Sequence, residues 1–271
     1  MRRSVADLSA ALSGVLLTVA YDGTGFHGWA AQPGVRTVQG TLQEALRKLD
    51  PEASLLRGAS RTDAGVHAEG QLVGVDVFRR IAPRGWVLGL NKVLPDDLSV
   101  RQARLVPIGY NPRHEARRKR YGYRLQVDAV RDPHLRLRVW RVAPPVDLLR
   151  LGREAEAAVG THDFASFRAA SDGREHTVRT MFRVETAVEG RVVRVVVEGN
   201  AFMHNMVRIL VGTLVDVARG RLAEGAVARA LAVRDRRVAG MTAPAQGLTL
   251  EQIDVALPEG VAEMWPEPLT P

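Results

Sequence analysis

Two strand-like runs with period-two alternation, residues 182–188 and 192–198, are joined by a tight turn at Glu189-Gly190. So short a connection dictates an antiparallel hairpin, since a parallel return needs a crossover of about a dozen residues. Further strand-like runs occupy 16–21, 71–78 and 121–127, and helical periodicity covers 38–49, 84–93, 148–159, 202–219 and 224–233. Thr37 and Asp147 stand where N-caps are expected, and Gly160 and Gly220 where C-caps are. Strands and helices interleaved in this way predict an α+β fold with mixed, mainly antiparallel sheets flanked by helices. No helical run opens directly on the Gly23, Gly25 and Gly28 spacing that follows the first strand-like run, which argues against a dinucleotide fold. The best boundary is the 107–112 stretch, where Pro107 and Pro112 flank Gly109. It divides the chain into a leader at 1–14, a first domain at 15–110 and a second at 111–271.

With 271 residues and 46% hydrophobic content, the chain can bury a substantial core. No stretch approaches the roughly 20 apolar residues of a membrane span. Arg2-Arg3 and the mildly apolar segment after Leu8 imitate a secretory signal, but Asp7 and serines interrupt it without a clear cleavage site, so a cytoplasmic protein with a frayed leader is expected. The chain has no Cys, which removes disulfides, thiolate metal sites and cysteine nucleophiles. None of the seven histidines forms a His-x-x-x-His pair or a His-Glu-x-x-His helix, so no metal is expected. The sequence also lacks a Walker loop and a Gly-x-Ser-x-Gly elbow.

The positive charge is concentrated. The net charge is +8, and residues 111–141 hold 10 basic residues against 3 acidic ones. Such a segment, including Arg113, Arg117, Arg118 and Lys119, suits a polyphosphate partner better than a neutral metabolite. Aromatic residues make up only 5% of the chain, too few for extensive base stacking, so phosphate contacts should dominate binding to a structured nucleic acid.

Two places could carry chemistry. Arg61-Thr62-Asp63-Ala64-Gly65-Val66-His67-Ala68 packs a cation, a carboxylate, a glycine and an imidazole into one loop. In extended backbone Arg61 and Asp63 share a face, and a neighbouring guanidinium keeps a carboxylate ionised. Asp63 is then either a nucleophile or base, or a turn residue. The second place is Arg208, within the apolar helical run at 202–219 and one turn after His204. It needs an acidic partner or anion there, or a route for its stem to solvent.

These residues resemble the TruA-type tRNA pseudouridine synthases. The eight residues from Arg61 to Ala68 match that family's motif in full. The likeness continues through Tyr21-Asp22-Gly23, Thr37-Val38-Gln39-Gly40, Asn91, Leu94-Pro95-Asp96-Asp97 and Tyr121-x-Tyr123, then His204-Asn205-Met206-Val207-Arg208 and Ala245-x-Gly247-Leu248. The resemblance implies a two-domain fold with a basic central cleft and a homodimer. The implied activity is isomerisation of uridine to pseudouridine in the tRNA anticodon stem-loop, at positions 38, 39 and 40, without metal or organic cofactor. It makes Asp63 the catalytic aspartate, Arg208 the cation that keeps it charged, and Tyr121, at the start of its strand, the ring over the uracil. Arg61 would fill space or meet phosphate when the target nucleotide leaves the stack. Leu248 joins Tyr121 and the basic residues as a substrate contact.

Three departures from the family pattern stand out: Ser60 in place of a glycine, Ala30 in place of a glutamine, and Asn111-Pro112-Arg113-His114 in place of a phenylalanine-richer segment. A catalytically silent RNA-binding module would keep the basic segment without needing Asp63, Tyr121 and Arg208 together. A synthase of the same fold acting on another RNA would differ only in substrate.

Overall fold

The computed structural model describes residues 13–173, 175–259, 261 and 264–265. Most of the expected leader, 1–12, lies outside them; its last two residues, Ser13 and Gly14, already belong to the first strand. The chain forms two compact units, one from Met1–Arg117 with Gln252–Pro271 and the other from Arg118–Glu251. This division falls beyond the 110/111 boundary suggested by the prolines and groups the end of the chain with its beginning.

In the first unit, β1 (Ser13–Tyr21) lies between two antiparallel neighbours, β3 (His67–Val77) and β4 (Leu98–Val106). Short strands extend the sheet on both sides, β2 (Arg57–Gly58) against β3 and β11 (Met264–Trp265) against β4. Alternation along β1 sends Val15, Leu17 and Val19 inward to complete burial. Helix α1 (Val38–Leu49) buries Val38, Leu42 and Leu46, each contributing about 1.5–3 kcal/mol relative to exposure. Thr37 caps α1 as expected, its side chain accepting from Gly40 N–H. Helix α2 (Pro83–Asn91) starts with proline at its first position and turns Trp86, Val87 and Leu90 inward.

The second unit is built on β5 (Ala116–Val127), β9 (Val192–Gly199), β8 (Val178–Glu189) and β7 (Gly160–Asp163), antiparallel in that order. β6 (Trp140–Val142) runs parallel beside the end of β5, and β10 (Leu248–Val255) also neighbours β5. The hairpin read from 182–198 is present, closed at Glu189 opposite Val192 with Gly190 at φ +63°. Its β8 strand carries a bulge between Met181 and Arg183. Helices α3 (Leu148–Glu156), α4 (Met206–Ala218) and α5 (Ala226–Val233) complete the unit. Asp147 caps α3 as expected.

Several expectations need correcting. Helix α3 ends at Glu156, and Gly160 opens β7 instead of capping the helix. Helix α4 starts at Met206 and not at 202, because Asn205 adopts left-handed backbone (φ +60°), which a right-handed helix cannot continue. β5 begins at Ala116, which makes 117–120 strand residues and puts Tyr121 in the strand interior.

Candidate active site

The loop from Ser60 to Val66 joins β2 to β3 and is tied down at nearly every residue. Gln71, fully buried on β3, donates its amide to the Ser60 carbonyl (2.7 Å) and accepts the Ser60 N–H (3.1 Å). Tyr21 hydroxyl meets Thr62 Oγ1 at 2.8 Å, and Trp29 N–H donates to Thr62 carbonyl at 3.0 Å. A tight turn follows, closed by Val66 N–H to Asp63 carbonyl (3.1 Å), with Gly65 at φ +78°. Thr62 faces inward while exposed Arg61 and half-buried Asp63 flank it on the more open side, as extended backbone requires. His67 is buried and its Nδ1 accepts Gly23 N–H at 3.1 Å, so this imidazole anchors the preceding loop. Asp22 Oδ1 lies 3.2 Å from the same nitrogen, but two acceptors cannot share a hydrogen bond, and the Gly23 contact defines the geometry.

Tyr121, Arg208 and Leu248 belong to the second unit. Tyr121 sits opposite Val197 on β5, 5% exposed, with the Phe202 ring edge-on at 5.0 Å. Arg208 is the one residue of α4 that is not buried. Its Nε donates to the Ala243 carbonyl (2.7 Å), one terminal nitrogen donates to Asn205 Oδ1 (2.8 Å), and its own carbonyl accepts Ala243 N–H (3.0 Å). Tyr123 fixes the next residue of that segment by donating its hydroxyl to the Pro244 carbonyl at 2.7 Å, and burial pushes its phenol well above the usual range. Leu248 is buried at the start of β10.

Of the basic residues, Arg113, Arg117 and Arg118 are exposed, and Lys119 is half-buried. Arg118 also reaches buried Glu198 at 3.3 Å and lies over the Phe182 ring at 4.9 Å. Arg120 meets the other Glu198 oxygen at 2.5 Å. Sequence reasoning singled out neither Glu198 nor Gln71. The usable signal for Gln71 was a polar side chain at the head of a largely apolar strand run, where burial demands a partner.

A family model for tRNA pseudouridine synthase matches residues 155–254. A tRNA pseudouridine synthase A of Citrifermentans bemidjiense is 42% identical over 88% of this chain and 96% of its own length. Those of Geobacter sp. and Myxococcus xanthus are 40% and 42% identical over the same share of this chain, with 97% and 90% of their own lengths covered. The chain belongs to the tRNA pseudouridine synthase A family. Among solved structures, a Cbf5-Nop10-Gar1 complex aligns at TM-score 0.33 and 11% identity, over 87% of this chain and 57% of that one; so slight a likeness carries no weight in the assignment. Among the described residues no cluster of three or more His, Asp and Glu could hold a metal ion, and no helix is long and apolar enough to cross a membrane.

Proposed function

We propose that this synthase converts uridine to pseudouridine in the anticodon stem-loop of tRNA, at positions 38, 39 and 40, with Asp63 as the catalytic carboxylate. The full-length relationship to tRNA pseudouridine synthase A proteins carries this reading, and the fixed loop bearing half-buried Asp63 supports it. The reaction breaks the bond between uracil N1 and ribose C1′, turns the base and joins C5 to C1′. The C5 proton is lost, N1 gains one, and nothing is consumed. Asp63 serves either by attacking C1′ or by taking a C2′ proton to give a glycal. Arg208 keeps Asp63 ionised and Tyr121 lies over the uracil and assists loss of the C5 proton. Arg61 meets the backbone of the extruded nucleotide. Arg113, Arg117 and Lys119 contact phosphates, with Arg118 a lesser contributor because Glu198 already engages it. The enzyme works as a cytoplasmic homodimer.

The test is to incubate the protein with unmodified tRNA transcripts and map pseudouridine by carbodiimide-primed stops. Stops at 38–40 with the parent protein, and none with Asp63→Asn despite retained tRNA binding, are the expected result. Measurable turnover by Asp63→Asn would defeat the assignment.

A further inference from the structure

We propose that Asn205 is a positioning residue that aims the Arg208 guanidinium, an inference that rests on the role given to Arg208 above. Only two non-glycine residues among those described have positive φ, Asn205 (+60°) and Arg234 (+59°). Glycine meets that backbone requirement at least cost, and asparagine is the usual side-chain-bearing alternative. Its amide is in use: Asn205 Oδ1 accepts from Arg208 at 2.8 Å. The left-handed turn is what allows this contact, because it sets the Asn205 side chain at the mouth of α4 while the Asn205 carbonyl still accepts the Ile209 N–H at 2.9 Å.

The segment holding Asn205 is itself anchored from elsewhere in the chain. Ala169 N–H donates to His204 carbonyl (3.0 Å), and buried Asp172 accepts the His204 N–H (2.9 Å). Arg208 is thus gripped on two different nitrogens, by the Ala243 carbonyl and by Asn205, each of which sits on separately fixed backbone. A planar guanidinium held at two nitrogens cannot rotate about its stem, so the rest of its donor fork points in one direction. Without the Asn205 contact one of these holds is lost. The charge would remain, but its direction would be less closely set.

Asn205→Gly keeps the backbone conformation and removes the amide. It is expected to melt close to the parent and bind tRNA with parent affinity. Its kcat should fall about tenfold to a hundredfold, the worth of one hydrogen bond to a charged group, with KM unchanged. A parent-like kcat, a loss seen only in KM, or failure of the variant to fold would each overturn the inference. Asp63→Asn is assayed alongside. If it still turns over, the reading of the site has failed; if it is dead and Asn205→Gly is not, only the positioning role has.

Discussion

A methyl group added at Gly28 would sit 2.8 Å from the Thr62 carbonyl oxygen and 3.2 Å from Ala64 N, and the residue's φ of +84° already disfavours any side chain. The clash falls on backbone on either side of Asp63, so the loop must move to relieve it. Gly28→Ala is therefore expected to lose at least about tenfold in kcat, because small displacements of a reacting group are costly. Gly34 provides the control, with φ +76° and nothing within 4 Å of its added carbon. Gly34→Ala should destabilise the fold by roughly 1 kcal/mol without changing kcat, as expected for a backbone effect alone. Equal kcat for the two variants would show that the Asp63 loop tolerates displacement. At Tyr121 the hydroxyl can be separated from the ring. Tyr121→Phe retains the aromatic contact with Phe202 at 5.0 Å, so tRNA affinity should hold while single-turnover chemistry slows about a hundredfold or more, in the range of lost general acid–base assistance. Parent-rate turnover would remove the hydroxyl from the mechanism.

Helix capping gives a different kind of check, because α1 and α3 begin on side chains that accept a backbone N–H. Thr37→Ala should destabilise the protein by about 1 kcal/mol, read from denaturant unfolding. At α3 the Arg150 N–H holds the Asp147 carboxyl below its ordinary pKa. A carboxylate depressed in the folded state stabilises above its unfolded pKa and loses that contribution as pH falls through the folded value. Asp147→Ala should therefore melt below the parent at pH 7, with the gap closing in acid below about pH 4. These caps were legible because a cap is a local device, as were α1 at its observed bounds and the β8–β9 hairpin. The strands β4 and β10 were not. Leu98 and Val100 are buried at spacing two, but the next inward residue is Ala103, because pairing with β1 slips between Thr18 and Val19. Leu248, Leu250 and Ile253 are buried at the same uneven spacing. Alternation that skips a step does not look like a strand. Of the proposed site, Asp63, Tyr121 and Arg208 were named from their motifs. Asn205 was hidden inside an apparently continuous helix, and Glu198 pairs with cations 78 and 80 residues away in sequence.

For the molecule as a polyelectrolyte, a net charge of +8 predicts tRNA affinity that falls steeply with salt. Arg117→Ala should reduce the slope of log K against log salt by about 0.7–0.9, the value for one lost phosphate contact, and Arg118→Ala by less. Filter binding across a salt series distinguishes them; equal slopes would show that Glu198 does not compete with the RNA. The proposed homodimer is checked by sedimentation, where a monomer at micromolar concentration that still modified tRNA would remove it. The burial of α4 has a further consequence for which partner does the moving. Every residue of that helix except Arg208 is buried, so its amides should exchange with deuterium only through opening of the whole second unit, the slowest class of exchange. The guanidinium proposed to serve Asp63 is thus rooted where the second unit yields least. Accommodation has to come from the RNA, so uridines in loosely stacked surroundings should react sooner than those locked in a stable helix.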